Sequence, residues 1–150
     1  VLFRSAVESN DILCTHRMAM PCSDGFTGDK SMNFGLNEDI QMTPNPMNYS
    51  FIIRYLTRYQ NQFALEELIH NVTMKPAVRF GIEKRGSLQV GNYADIVVFD
   101  REALHSYDRD ANMSQYPEGI DYVLVNGVVT IDHKRHTQAA AGRMLRKNQQ

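Results

Sequence analysis

The sequence has few cysteines, almost no net charge and no long hydrophobic run, and each shortage excludes a class of protein. Its two cysteines, Cys14 and Cys22, are too few for a disulfide framework and lack the spacing of a metal site. We therefore expect free thiols and a reducing, cytoplasmic compartment. A net charge of -1 leaves no basic surface for nucleic acid, and no apolar stretch approaches the roughly 18 residues of a membrane helix. The expected partners are small molecules or other proteins.

Short motifs of common active sites are also missing. The segment GFTGDKS resembles a phosphate-binding loop, but Asp29 precedes Lys30 where that loop needs glycine, and a carboxylate there would repel phosphate. None of the five histidines forms an H-x-H pair or a helical H-x-x-x-H pair of the kind that binds zinc. His133 and His136 lie in HKRH, which we interpret as a surface turn.

The first half of the sequence has helical periodicity. A capped helical turn is expected at residues 9–16, followed by a strand-like segment at 18–23. Apolar residues recur at three- and four-residue spacing in the next two predicted helices, from Tyr49 to Tyr59 and from Leu65 to Val72. A third short helix is predicted between Pro76 and Gly81. The first of these apolar stripes consists of Tyr49, Ile52, Ile53, Leu56 and Tyr59.

The second half of the sequence has the character of β-structure. A strand is predicted from Ala94 to Phe99, where apolar and β-branched residues predominate. Tyr122–Val125 and Val128–Ile131 are strand formers separated by Asn126-Gly127, a dipeptide that accepts the positive φ angles of a two-residue hairpin. The C-terminal segment AAAGRMLRK is interpreted as a solvated end of the chain.

Asp24 stands where the strand-like segment ends and a long loop begins. In a parallel α/β barrel, this position supplies catalytic side chains. Asp and Ser before glycine also form ordinary turns by bonding their own backbone. The loop, residues 25–48, is longer than most loops of compact domains, and loops of that length are usually functional or disordered. The local sequence leaves both interpretations of Asp24 open.

Taken in order, the motifs of the chain resemble one family. SDG at the end of a strand, the helix FIIRYL, LEELIHNVTMKPAVRFGI, RGSLQVGNYADIVVFD and VLVNGVVT are similar to the C-terminal part of the amidohydrolase superfamily. PEGI before VLVNG, and GRMLR near the end, favour its D-aminoacylase branch, the N-acyl-D-amino-acid deacylases. The resemblance runs in unbroken order from about Asp11 to Arg146.

This resemblance implies an α/β fold, namely the C-terminal portion of a metal-dependent hydrolase (β/α)8 barrel plus a small β-sandwich domain. Residues 1–82 would form the last strand and closing helices of the barrel, and residues 83–150 would form strands of the sandwich. A complete barrel takes roughly 250 residues, so we expect the sequence to be a fragment. The family's H-x-H pair and other main zinc ligands would lie upstream, and the fragment alone is predicted to be inactive.

The resemblance matches Asp24 to the aspartate that closes the eighth barrel strand, where it can also contact the metal. The implied cofactor is one or two zinc ions, which lower the pKa of bound water to about 7. Zinc-bound hydroxide would attack the amide carbonyl. Asp24 would serve as the general base toward the water and as the general acid toward the leaving amine.

Ser23, Asn45 and Asn48 are the implied substrate-binding residues, and the implied substrate is a small-molecule N-acyl amino acid or a related amide. One departure bears on that substrate. Many relatives have HPR in the loop after SDG, where arginine can pair with a carboxylate, but residues 45–47 here are Asn-Pro-Met. Either another cation such as Lys30 supplies the charge, or the substrate is not an ordinary N-acyl-D-amino acid.

Two other functions are compatible with the same motifs. A dihydroorotase-like or hydantoinase-like enzyme that acts on cyclic amides would share the sandwich segment and the aspartate. A domain that assembles with a partner and never holds a metal would share the fold without the chemistry. The sequence leaves the oligomeric state open.

Overall fold

The computed structural model describes residues 6–23, 47–107 and 115–146. Within these residues the chain forms four helices and then one four-stranded antiparallel sheet, and no helix among them is long and apolar enough to cross a membrane. The helices are α1 (Ala6–Thr15), α2 (Met47–Tyr59), α3 (Leu65–Val72) and α4 (Met74–Phe80). The strands are β1 (Ile96–Phe99), β2 (Ile120–Val125), β3 (Val128–Asp132) and β4 (Arg135–His136).

The three helices predicted after residue 48 are all confirmed. Helix α2 begins two residues before the predicted start, at Met47, and α3 has the predicted bounds. Helix α4 begins before Pro76 and ends as predicted at Gly81, whose φ is 66°. The N–H of Gly81 bonds to the carbonyl of Val78, and the N–H of Ile82 to that of Ala77, which is the Schellman pattern of a glycine-terminated helix.

The strand-like segment at residues 18–23 is not a strand in the structure. Helix α1 extends to Thr15, a turn follows, and residues 19–23 have no regular secondary structure. A strand needs a neighbour to complete its backbone hydrogen bonds, and the paired strands among the described residues all lie between Ile96 and His136. Local sequence predicted an extended segment, but it carried no information about a pairing partner.

The sheet has the order β1-β2-β3-β4, so each strand pairs with the next along the chain. The predicted hairpin is confirmed: Val125 is paired with Val128, and Asn126 and Gly127 have φ angles of 52° and 82°. The interpretation of HKRH as a surface turn is confirmed for its first two residues: His133 and Lys134 form a second tight turn between β3 and β4. Arg135 and His136 are instead β4 itself, and His133 and His136 are both exposed.

The buried core lies between α2 and α3, and α1 and the sheet contribute to its margin. Leu68 of α3 is 1% exposed and packs with residues of α2. The predicted stripe of α2 needs one correction, because Ile52 is 47% exposed whereas Tyr55, which the stripe omits, is 4% exposed. Tyr55 tolerates burial because its hydroxyl accepts a hydrogen bond from Asn71 of α3. The partly buried residues against this core include Cys14, Leu104 and Ile120.

Candidate active-site segment

The predicted site residues lie at the two ends of one connection. Asp24 and Asn45 fall outside the described residues, as do Asp29 and Lys30. Ser23 is half-buried and is the last described residue before that connection. Asn48 lies in the first turn of α2, where the chain is described again. The described structure therefore defines how the chain enters and leaves the segment that contains Asp24.

Helix α1, which precedes this segment, is attached to α2 through Asp11. The Asp11 carboxylate accepts hydrogen bonds from Nε and Nη2 of Arg58, at 2.8 and 2.9 Å, and from the hydroxyl of Tyr59 at 2.6 Å. The two guanidinium bonds form the bidentate pairing that fixes orientation as well as distance. We call these three residues the Asp11 cluster.

Hydrogen bonds within the Asp11 cluster shift the pKa values of Asp11 and Tyr59 in opposite directions. Hydrogen bonds from Arg58 and then from Tyr59 lower the pKa of Asp11 from its ordinary value of 3.8 to about 2. Burial, followed by the hydrogen bond to the Asp11 carboxylate, raises the pKa of Tyr59 above its ordinary value. The cluster thus holds an ionised carboxylate and a protonated phenol at neutral pH.

The Asp11 cluster gives a prediction for pH dependence. The folded-state pKa of Asp11 lies below its unfolded value, so its contribution to stability is present above about pH 4 and is lost as the pH falls through about 2. We expect NMR titration of the Asp11 carboxyl carbon to give a midpoint near 2. Tyr59→Phe should raise that midpoint because it removes one donor. A midpoint near 3.8 in the unsubstituted protein would show that the cluster does not form.

A second contact holds the chain just after α1. Lys75 of α4 donates a hydrogen bond from Nζ to the carbonyl oxygen of Arg17 at 2.6 Å, and another to Oδ1 of Asn71 at 3.2 Å. Arg17 lies in the turn between α1 and residues 19–23. The Asp11 cluster and Lys75 therefore attach two successive points of the chain before Asp24 to the helical core.

A different polar group lies beside the sheet, in the part of the chain that follows α4. The guanidinium of Arg85 binds Asp95 and the side-chain oxygen of Asn126, and it lies 4.3 Å from the ring centroid of Tyr93. Burial opposes ionisation of Asp95, but hydrogen bonds from the backbone N–H of Asn126 and from the Arg85 side chain outweigh it, so the pKa of Asp95 is lowered. Arg143 lies over the same Tyr93 ring, at 4.1 Å from its centroid.

The C-terminal segment contacts this group, so the interpretation of that segment as a solvated end of the chain is wrong in part. The side-chain amide of Asn126 donates to the carbonyl of Ala141 at 2.7 Å, and Ala141 is half-buried. Together with the stacking of Arg143, this bond fixes the segment against the hairpin. The Nη atoms of Arg85 bind Asp95 and Asn126 within the group, whereas its Nε is a buried nitrogen without a hydrogen-bond partner among the described residues.

Metal ligands do not come together in the part of the chain that is described. Across residues 6–23, 47–107 and 115–146, no three His, Cys, Asp or Glu side chains are close enough to hold a metal ion. His133 bonds instead to Asp132, with 2.7 Å between Nδ1 and Oδ1. The described donors by themselves do not fit a zinc site, and we derive no chemical step from them.

Comparison with known proteins identifies the family. The model of the amidohydrolase family matches residues 35–131, which is more than half of the chain. The chain belongs to the amidohydrolase family. The match includes α2 to α4, β1, β2 and most of β3.

Two curated relatives of different name match the chain. The chain is 29% identical over 148 residues to the N-acyl-D-glutamate deacylase of Alcaligenes xylosoxydans xylosoxydans. This alignment covers 95% of the chain and 28% of that protein. The chain is also 30% identical over 92 residues to the dihydroorotase of Lactobacillus johnsonii. This second alignment covers 61% of the chain and 20% of that protein.

Two solved structures agree with the first of these relatives. One is a D-aminoacylase with a binuclear metal centre, with a TM-score of 0.63 and 32% identity over 67% of this chain and 22% of that one. The other is the N-acyl-D-glutamate deacylase of Bordetella bronchiseptica in complex with zinc and a phosphonate that mimics the tetrahedral intermediate. It gives a TM-score of 0.55 and 34% identity over 67% of this chain and 21% of that one. The chain therefore spans only 20% to 28% of the length of these proteins.

Proposed function

We propose that the complete protein to which this chain belongs is a metal-dependent hydrolase that removes the acyl group from N-acyl-D-amino acids. The observation that carries the proposal is the match to N-acyl-D-glutamate deacylase, which extends over 95% of the chain. The dihydroorotase match covers only 61% of it. The D-aminoacylase match in three dimensions supports the same branch of the family.

In this proposal, residues 1–82 close a (β/α)8 barrel and residues 83–150 belong to a β-sandwich. The change from helices to an antiparallel sheet after α4 supports that boundary. Successive residues of a strand point to opposite faces, yet the neighbours Val97 and Val98 of β1 are both exposed, by 51% and 44%. A strand with exposed apolar groups on both faces is expected where other parts of a longer protein cover those faces.

Asp24 is the proposed catalytic residue, and it would also help to hold the metal. The metal, one or two zinc ions with their main ligands outside this sequence, supplies Lewis-acid activation when it is bound. Asp24 takes a proton from the attacking water as the water oxygen bonds to the acyl carbon. It then delivers that proton to the amide nitrogen as the C–N bond breaks, so that a carboxylic acid and a free amine leave.

Ser23, Asn45 and Asn48 are the proposed contacts to polar groups of the substrate. Residues 45–47 lack the arginine that many relatives place there, and Lys30 is the proposed source of positive charge for the substrate carboxylate. The two thiols are free, which suits a reducing compartment such as the cytoplasm.

The test is an assay of the complete, zinc-loaded protein with the D and L forms of N-acetyl-glutamate, N-acetyl-aspartate and N-acetyl-leucine, and with dihydroorotate. We expect release of acetate from D substrates only. Turnover of dihydroorotate alone would favour a cyclic amidase, the alternative that the Lactobacillus relative suggests. Absence of both bound zinc and turnover would favour an assembly domain. The 150-residue chain alone is expected to be inactive and to bind no zinc stoichiometrically.

A further inference from the structure

We propose that the Asn126-Gly127 turn is a latent deamidation site, which the C-terminal segment (residues 139–146) keeps closed. This is the one Asn-Gly dipeptide in the sequence. Because glycine has no Cβ, the backbone nitrogen of a glycine is open to approach by the side chain of the preceding asparagine. The proposal concerns the sheet and does not depend on the catalytic role proposed for Asp24.

The reaction needs only this dipeptide and water. The backbone nitrogen of Gly127 bonds to Cγ of Asn126, the bond from Cγ to Nδ2 breaks, and ammonia leaves with the proton of the Gly127 N–H. Water then adds to one of the two carbonyl carbons of the resulting succinimide ring and opens the ring, which returns a proton to the nitrogen. The product has aspartate or isoaspartate at position 126, according to which ring bond breaks.

Three hydrogen bonds oppose the first step of this reaction. Oδ1 of Asn126 accepts from Nη2 of Arg85, and Nδ2 of Asn126 donates to the carbonyl of Ala141 at 2.7 Å. The N–H of Gly127 donates to the carbonyl of Ala94 at 2.9 Å, which holds the nitrogen that would attack. Since Cγ lies between the two held atoms of the side-chain amide, it can approach that nitrogen only after the amide is released.

The bond to Ala141 is the one that we expect to open first. The Arg85 side chain is only 9% exposed, so it holds the turn from a buried position. Residues 139–146 have no regular secondary structure, and the exposed Arg143 attaches them by stacking at 4.1 Å from the ring centroid of Tyr93. Exposed segments without regular structure open at the lowest free energy. Attachment of the C-terminal segment therefore controls access to the reaction.

Deamidation would in turn release the C-terminal segment. An aspartate at position 126 lacks the donor to the Ala141 carbonyl, and it places a second carboxylate beside Asp95, whose Oδ1 accepts the backbone N–H of residue 126 at 2.8 Å. Isoaspartate adds its Cβ to the main chain and so lengthens a turn whose two residues set the pairing of Val125 with Val128. The attached segment and the unmodified turn thus preserve each other.

The experiment follows deamidation of the complete protein by peptide mapping with mass spectrometry, at a mildly alkaline pH that favours attack by the backbone nitrogen. Arg143→Met removes the stacked cation, deletion of residues 139–146 removes the whole segment, and Arg146→Met removes an exposed charge further along the same segment. For Arg143→Met we expect deamidation to be faster by roughly two- to fivefold, as for loss of an exposed cation–π contact. The deletion, which also removes a hydrogen bond, should accelerate it by about tenfold or more.

Hydrogen exchange separates local release of the segment from general unfolding. In Arg143→Met the amides of the C-terminal segment should exchange faster, whereas those of β2 should exchange as slowly as in the unsubstituted protein. Equal deamidation rates in the unsubstituted protein, Arg143→Met and the deletion would overturn the proposal, as would an equal acceleration in Arg146→Met. A deamidation rate in the folded protein equal to that in urea would also overturn it, as would equally faster exchange throughout β2.

Asn126→Asp tests the reverse dependence, because it makes one product of the reaction directly. We expect faster hydrogen exchange in the C-terminal segment of this variant, since the donor to Ala141 is lost. Asn61→Asp makes the same chemical change at an exposed turn between α2 and α3 and should leave that exchange unchanged. Slow exchange of the segment in Asn126→Asp, or equally fast exchange in both variants, would contradict the mutual dependence of turn and segment.

Discussion

Asp24→Asn in the complete zinc-loaded protein is expected to lower kcat by about a thousandfold, the middle of the range that general acid–base groups contribute. The amide has the size of the carboxylate but can neither take a proton from water nor deliver one to the leaving nitrogen. Bound zinc should remain largely intact, because the proposed main ligands lie outside this sequence. The measurement is steady-state kinetics on the preferred N-acyl-D-amino acid, together with metal analysis of the same samples.

Asp29→Asn is the matched control for this variant. It makes the same chemical change in the same connection, in the GFTGDKS segment, and should leave turnover close to that of the unsubstituted protein. If Asp24→Asn retains full turnover, Asp24 is a turn-forming residue, which is the other interpretation that its local sequence allows. Loss of zinc in proportion to activity would make Asp24 mainly a metal ligand.

Local sequence predicted those parts of the fold that depend on neighbouring residues. The hairpin at Asn126-Gly127 follows from two positive φ angles, and the end of α4 follows from Gly81. Both signals act over a few residues. The strand expected at residues 18–23 depends instead on a partner elsewhere, and extended character alone did not supply one.

Contacts between distant residues could not be predicted in the same way. Asp11 and Arg58 are 47 positions apart, and nothing in either local sequence indicates their pairing. The bond from Lys75 ends on a backbone carbonyl, which every residue possesses, so the sequence carries no mark of it. The proposed role of Asp24 rests on a different signal, the order of motifs over the whole chain, which indicates a residue and a role but no surrounding geometry.

Gly119→Ala is expected to give the largest loss of stability among substitutions in the sheet. Gly119 directly precedes β2, has a φ of 85°, and accepts a hydrogen bond from the N–H of Asp100 at 2.9 Å. An added Cβ would lie 2.7 Å from backbone atoms of Ala103 and Leu104, which cannot turn aside as a side chain can. Leu104 packs against the helical core, so a shift there also disturbs the contact between the sheet and the helices.

Gly91→Ala separates the two causes of this loss, since Gly91 has a similar φ of 92° but no described atom within 4 Å of an added Cβ. The left-handed conformation alone costs about 1–2 kcal/mol, and overpacking adds about 1–3 kcal/mol. We therefore expect a loss of roughly 2–5 kcal/mol for Gly119→Ala and of roughly 1–2 kcal/mol for Gly91→Ala. Native-state hydrogen exchange of the β1 and β2 amides measures both in the complete protein. Equal losses of stability would mean that the backbone at Ala103 and Leu104 can shift at little cost. The positive φ angle, and not the close contact, would then be the reason for glycine at position 119.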